Sequence, residues 1–169
     1  ITEDVIKTAA GNKSGDKVIM IVLDKRTDIP IIEDVMKTAA KNKYCGDRLI
    51  TILLRHRGDT PITEDVVKAA TGNNMIGDKI IAILLEERGA DLPITEGIVA
   101  QISRRFNYSV IRLLLDKRGT DVPITEDVVD AAAMNHWSGE YIMTILLMER
   151  GADILITEGI VAQIARSFS

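Results

Sequence analysis

The sequence predicts an all-α protein, an α-solenoid of stacked helix-turn-helix repeats of about 31 residues. Three observations carry that expectation. The tetrapeptide Ile-Thr-Glu-Asp, or a close variant, begins at Ile1, Ile31, Ile62, Ile94, Ile124 and Ile156. The starts lie 30, 31, 32, 30 and 32 residues apart, a nearly constant period. The chain is 46% hydrophobic but only 4% aromatic, so its interior must be built from Ile, Val, Leu and Ala. The starts divide a single repeat domain, residues 1–169, into repeats 1–30, 31–61, 62–93, 94–123 and 124–155 and a half repeat 156–169.

Each repeat reads as two helices, A and B. In repeat 62–93, Thr63 is placed to cap helix A, and Glu64 and Asp65 put negative charge at the positive end of its dipole. Val66, Val67, Ala69 and Ala70 supply the apolar face. The stretch Gly72-Asn73-Asn74-Met75-Ile76-Gly77 interrupts the pattern. Asp78 then opens helix B, with Ile80, Ile81, Ile83, Leu84 and Leu85 inside and Arg88 followed by a C′ glycine, Gly89, at its end. A buried β-strand competes for so short an apolar run. Charged flanks and the helix-favouring Leu-Leu-Glu-Glu-Arg decide for helix.

Helix A is too short to stand alone and helix B is apolar around most of its circumference, so both need neighbours. Ala9/Ala10, Ala39/Ala40, Ala69/Ala70 and Ala131/Ala132 recur where A would meet B, and small residues let helix axes approach. The Ile and Leu columns of successive B helices then form a continuous core. Residues 94–102, Ile-Thr-Glu-Gly-Ile-Val-Ala-Gln-Ile, return unchanged as 156–164, as if a two-repeat block had been copied. Ile102 and Ile164 fill space that alanine leaves open in the other repeats.

The end of helix B with its following turn, Leu84 to Asp91 and Leu146 to Asp153, resembles the second-helix end of ankyrin repeats. The first helix departs from them: Pro61-Ile62-Thr63-Glu64 and Pro123-Ile124-Thr125-Glu126 stand where ankyrin repeats carry Thr-Pro-Leu-His. The whole repeat is similar to the ankyrin-related helical repeats of large filamentous-fungal proteins, often found beside nucleotide-binding NACHT-type domains. That resemblance implies a recognition or scaffold segment of a longer protein and no catalytic role.

The formal charge of −4 and a pI near 5.2 give no general attraction to phosphate backbones or anionic lipid, so nucleic acid is not expected as a partner. No apolar run approaches the roughly 20 residues that span a bilayer. A single cysteine, Cys45, fits a reducing compartment and hence the cytoplasm, but would also fit a secreted domain without disulfides. The start at Ile1, without an initiator Met, suggests a piece of a longer protein. There is no Gly-x-x-x-x-Gly-Lys-Ser/Thr loop, no Gly-x-Ser-x-Gly and no His-Glu-x-x-His. His56 and His136 occupy non-equivalent places, which argues against a paired metal site. The chain is therefore expected to be no enzyme, with no catalytic, cofactor-binding or metal-binding residues and no cofactor.

Binding specificity in a repeat array resides in the positions that vary. One such column is the turn between A and B, holding Tyr44, Met75, Ile76, Tyr108 and Trp137. It reads either as an apolar and aromatic partner surface or as a cover over the end of the core. A second column runs mid-helix B through Met20, Thr51, Ala82, Arg112 and Thr144, with Lys17, Arg48, Lys79, Ser109 and Tyr141 one turn earlier. It reads as a concave binding face or as a solvated helix surface. Arg26, Arg57, Arg88, Arg118 and Arg150 recur at the end of every B helix and are expected to form a structural ladder with Glu3/Asp4-type acids of adjacent repeats. Two functions compete: a protein-binding or scaffold module, and self-assembly through uncapped ends, where Ile1, Val5 and Ile6 open the array and Ile160, Val161, Ile164 and Phe168 close it.

Overall fold

A glutamate at the start of each A segment, followed by aspartate in four of the six, and a glycine at the start of most B segments set the helix boundaries. The structure is a computed structural model that describes residues 2–26, 29, 31–56, 60, 62–151 and 157–167. Ile1, Arg57, Pro61, Ala152, Asp153, Ile156 and Phe168 lie outside the described residues, as does the side chain of Ile164. Among the described residues every regular element is helical, and the strand reading of the B segments falls. In chain order the helices are α1 (Glu3–Gly11), α2 (Gly15–Lys25), α3 (Glu33–Lys41), α4 (Gly46–His56), α5 (Glu64–Thr71), α6 (Gly77–Arg88), α7 (Glu96–Arg105), α8 (Tyr108–Arg118), α9 (Glu126–Ala133), α10 (Gly139–Arg150) and α11 (Glu158–Ser167). Odd-numbered helices are the A helices, each opening on the glutamate of the recurrent tetrapeptide. Even-numbered helices are the B helices.

Several boundary details depart from expectation. Helix α6 opens at Gly77, one residue before Asp78. Its counterparts show why glycine stands there: a Cβ on Gly46 would lie 2.6 Å from the Ala39 carbonyl oxygen, and one on Gly139 2.5 Å from that of Ala132. The close A-to-B approach thus runs between an alanine carbonyl and a glycine. Gly89 is no left-handed C′ cap. Its φ of −53° continues right-handed into a 310 turn, Gly89–Asp91. Only Gly119, among the described residues, takes a positive φ, 51°, where α8 passes into the turn Gly119–Asp121. Thr63 caps α5 as expected, its hydroxyl oxygen accepting from the Val66 amide (3.4 Å), and Thr157 does so for Ile160 (3.2 Å). The Thr125 hydroxyl instead donates to the Glu96 carboxylate (2.5 Å) on the helix before it.

The chain divides into two compact units, Ile1–Pro93 and Ile94–Ser169, and the division falls on an expected repeat boundary. In the first, α1 packs on α3 and α3 on α5, while α2 packs on α4 and α4 on α6, and each A helix also meets its own B helix. Its core is aliphatic: Ile19, Leu49, Leu53, Ile80 and Leu84 are fully buried. In the second, α9 lies between α7 and α11 and also contacts α10, and α10 packs on α8. Ile102, Leu114, Ile142 and Leu146 fill its centre.

Two consecutive apolar positions of each A helix face opposite neighbours, and the terminal helices show which is which. At the first position Val35 and Val66 are 0% exposed in one unit and Val128 and Ile160 at most 1% in the other, but Val5, with no described helix before its own, is 52% exposed. At the second, Ile6, Met36, Val99 and Val129 are all 0% exposed, but Val161, with no described helix after it, is 53% exposed. The first position therefore packs backward along the chain and the second forward.

Candidate interaction surface

The A-to-B turn is built on one buried asparagine. Asn42 is 6% exposed, and its Nδ2 donates to the carbonyls of Ala10 (2.7 Å) and Asn12 (2.8 Å) in the preceding repeat. Asn73 does the same to Ala40 (2.9 Å) and Asn42 (3.3 Å), and Asn135 to Ser103 (2.8 Å) and Phe106 (2.9 Å). These carbonyls lie at or just beyond the ends of the preceding A helices, where backbone acceptors have no partner within the helix. The amide oxygen works on its own turn. Oδ1 of Asn42 accepts from the backbone N–H of Tyr44 (2.9 Å) and Cys45 (3.1 Å). Asn73 serves Met75 (3.1 Å) and Ile76 (3.3 Å) in the same way, and Asn135 serves Trp137 (3.1 Å) and Ser138 (3.0 Å).

The asparagines were the feature that sequence reasoning missed. Their signal was available: Asn12, Asn42, Asn73 and Asn135 recur at intervals of 30, 31 and 62 residues. In repeat 94–123 the place is taken by Arg105, the turn is shorter, and Asn107 caps α8 instead, its Oδ1 accepting from Ser109 N (3.1 Å).

This scaffold fixes the residue two places after each asparagine and points it outward. Tyr44 is 49% exposed, Met75 69% and Trp137 93%, so the tips project into solvent and do not fold back over the core. Ammonium groups of Lys13 and Lys43 stand 5.1 and 5.2 Å from the centre of the Tyr44 ring, within cation–π range. Two of the expected turn residues belong elsewhere. Tyr108 is the first residue of α8 and stacks at 5.4 Å between ring centres on Tyr141 of α10, which joins the turn column to the helix-B column in the second unit. Ile76 is half-buried, its Cδ1 close to Gly46 of the repeat before it, so it serves packing more than display.

In the helix-B column Met20, Arg112 and Thr144 are exposed, and Thr51 and Ala82 half-buried. The hydroxyls of Thr51 and Thr144 donate to the backbone one turn back, at Asp47 (3.0 Å) and Glu140 (2.9 Å). Arg48 donates Nε to Asp16 of the preceding repeat (2.6 Å). Burial of Asp16 opposes its ionisation, but the Arg48 bond and charge, with help from the Lys17 amide, outweigh it and hold the carboxyl below the usual carboxylate range.

Arg88 and Arg150 of the arginine row are tied to the turns between repeats. Arg88 meets Asp91 (3.0 Å), three residues on, and the Thr60 carbonyl (3.4 Å). Arg150 donates to the carbonyls of Gly119 (2.7 Å) and Val122 (3.3 Å). The carbonyls of Thr60, Gly119 and Val122 belong to the turn that precedes the repeat, so the guanidinium ties successive turns through backbone oxygens, and Glu3/Asp4-type acids meet lysines. Lys7, for example, bonds Asp34 of the next A helix at 2.6 Å.

An open groove of about 330 Å³ runs between α7 and α9, lined by Ala100, Gln101, Arg104, Asp127, Asp130, Ala131 and Met134. Among the described residues no three His, Cys, Asp or Glu side chains are grouped to hold a metal ion, and no helix is long and apolar enough to cross a membrane.

These features define an all-helical protein built on a recurring helix pair with an asparagine-braced turn. It belongs to the family described as Domain of unknown function (DUF7104), whose model matches residues 1–20, 22–49, 52–80, 83–100, 113–143 and 145–165. The matches from residue 22 onward begin 30, 31, 30 and 32 residues apart, the period of the tetrapeptide, but the family's frame opens inside each B helix. No curated protein matches the chain, and no solved structure does.

Proposed function

We propose that this chain is a non-enzymatic protein-interaction or scaffold module, an α-solenoid of ankyrin-like helix pairs that displays its turn tips to a protein partner. One observation carries the reading: Trp137, the only tryptophan of the chain, is 93% exposed on a turn whose backbone is bonded to a buried asparagine. A large aromatic on a braced backbone loses little conformational freedom on binding, which is how interface anchors reach useful affinity. Tyr141, 61% exposed, and Tyr108, 40% exposed, extend the same kind of surface on the second unit. Charge supports a protein partner over nucleic acid, since the chain is acidic overall.

The test compares the proteins retained by the immobilised 169-residue chain, by a Trp137→Ser/Tyr141→Ser variant, and by a Met148→Ser variant altered at an exposed helix position away from the turns. A partner of the proposed kind is kept by the first and third and lost by the second. Titrated against the free chain, it shifts the tryptophan emission to the blue and saturates. If every retained protein is kept equally by all three, the turn tips are not the binding surface.

A further inference from the structure

Successive A helices of the first unit are joined by charge. Lys7 of α1 donates to Asp34 of α3 (2.6 Å), and Lys37 of α3 meets Asp34 of its own helix (3.1 Å) and Asp65 of α5 (3.8 Å). Two places in the repeat make this pattern, the aspartate after the opening glutamate and the lysine three residues further on. Where α7 meets α9 in the second unit, the lysine place is changed on both helices. Ala100 stands in the place of Lys7 and Asp130 in that of Lys37, while Asp127 keeps the place of Asp34. The places that hold two cations and one acid between α1 and α3 thus hold two acids and no cation between α7 and α9. Asp127 and Asp130 form no ion pair among the described residues.

The groove of about 330 Å³ opens at these residues. We infer that it receives a lysine or arginine side chain from an extended segment of a partner protein, which supplies from outside the cation that Lys7 supplies within the chain. The same place is filled by a lysine ammonium in both joints of the first unit, which sets the groove apart from a solvated acidic face. The helix dipole accounts for Asp127, in the first turn of α9, but not for Asp130, a turn further on.

The shape of the groove fits a protein segment better than a small free cation. Asp127, Asp130 and Met134 lie three and four residues apart on one face of α9 and span about 10 Å, the length of about three extended residues. Ala100 and Ala131 leave room for the aliphatic stem of a basic side chain. Arg104, which also forms no ion pair among the described residues, offers donors to the carbonyls of the segment. Met134, 48% exposed, adds an apolar contact that a free cation does not use. An exposed ion pair alone is weak, so these further contacts and the second carboxylate are what make the groove a site.

Beads carrying acetylated, amidated pentapeptide pools, random but for a central arginine, lysine, citrulline or norleucine, test it by retaining the whole chain. The wild type is expected on the arginine and lysine pools at least about fivefold over the other two. Asp127→Asn/Asp130→Asn, which keeps the shape of the groove, and Ala100→Lys, which fills it from within, lose that preference with unchanged circular dichroism. Glu86→Gln/Glu87→Gln, which removes the same charge from exposed positions on α6, keeps it. No retention on any pool, equal retention on the citrulline and arginine pools, or Ala100→Lys retained as well as the wild type overturns the inference. So does an equal loss in the α6 variant, which assigns the preference to overall charge, or spermidine binding where no pool binds, which assigns the groove to a free polyamine. The inference rests on the chain being an interaction module but not on the turn tips. Trp137→Ser/Tyr141→Ser is expected to keep the arginine preference, so failure at the tips and failure at the groove are told apart.

Discussion

Replacing Asn73 by alanine removes, in one substitution, the side chain that closes the α5–α6 turn and ties it to the repeat before it. Its Nδ2 bonds to Ala40 and Asn42 are 2.9 and 3.3 Å, and its Oδ1 bonds from Met75 and Ile76 are 3.1 and 3.3 Å. At a net ~1 kcal/mol per intramolecular hydrogen bond, the four amount to about 4 kcal/mol. Two of them are long, and Met75 at the tip is 69% exposed, so water recovers part of the loss. The expected destabilisation is about 2–3 kcal/mol. Asn107→Ala sets the scale, since that asparagine is exposed and only caps α8, a loss of about 1 kcal/mol. Asn73→Asp keeps the acceptor, loses both donors and sets a charge against two carbonyls, so near neutral pH it should cost at least as much as alanine. Urea unfolding followed by far-ultraviolet circular dichroism gives the comparison. Repeat arrays need not unfold in one step, so slope and midpoint are both read. An Asn73→Ala variant within about 0.5 kcal/mol of wild type, or less damaged than Asn107→Ala, would refute the role assigned to the asparagine.

Gly46→Ala should destabilise by about 1–3 kcal/mol, because its Cβ would sit 2.6 Å from a backbone carbonyl, whereas Gly97→Ala, in a helix with open space around it, should stabilise by about 0.5–1 kcal/mol; thermal melts of the two moving in the same direction would contradict this. Asp34 is held below the usual carboxylate range by its Lys7 bond first and by Lys37, and Asp16 by Arg48 against the cost of burial. Both folded values lie below the unfolded ones, so the stability they contribute is complete above the ordinary carboxylate pKa and drains away as pH falls through the folded values, below about pH 4. The urea midpoint of wild type should drop over that range, and Asp16→Asn should flatten the drop; parallel curves would remove Asp16 from the account. Met75→Pro abolishes the N–H bond to Asn73 and should cost about 1–3 kcal/mol, whereas Met75→Ser at the same exposed tip stays within about 0.5 kcal/mol of wild type on the same denaturation assay.

How far the sequence could be read depended on whether a feature is local. The A helices were legible because Glu-Asp or Glu-Gly followed by two apolar residues carries dipole and core face within one turn, and the B helices because charged flanks weigh against a strand. The asparagines were not, because Asn after Gly in a turn is explained by turn chemistry alone. What distinguishes Asn73 is the pair of carbonyls that receive its amide, more than thirty residues earlier. Tyr108 was placed in a turn by counting residues, and the count failed because repeat 94–123 has the shorter A-to-B connection. The arginine row was recognised as structural; Arg88 and Arg118 meet the aspartate three residues on, and Arg88 and Arg150 also bond backbone oxygens, which have no letter in a sequence. Of the candidate surface, Tyr44, Met75, Trp137, Arg112 and Tyr141 are exposed, whereas Ile76 faces inward, a difference that depends on which of two adjacent side chains lies over Gly46.

The residue at each turn tip varies for a reason that the hydrogen bonds supply. In all four braced turns the residue two places after the asparagine donates its own N–H to that asparagine's Oδ1: Ser14 to Asn12 at 3.3 Å, Tyr44 to Asn42 at 2.9 Å, Met75 to Asn73 and Trp137 to Asn135 at 3.1 Å. The bond uses only main-chain atoms of the tip, so any residue with an amide proton satisfies it, and the side chain is left to solvent. Stability is vested in a constant asparagine and the carbonyls behind it, while the chemistry offered to the outside is set by a neighbouring position that contributes almost nothing to folding. Substitutions there can change what the surface binds without weakening the stack, and a serine, a tyrosine, a methionine and a tryptophan already occupy it within one chain.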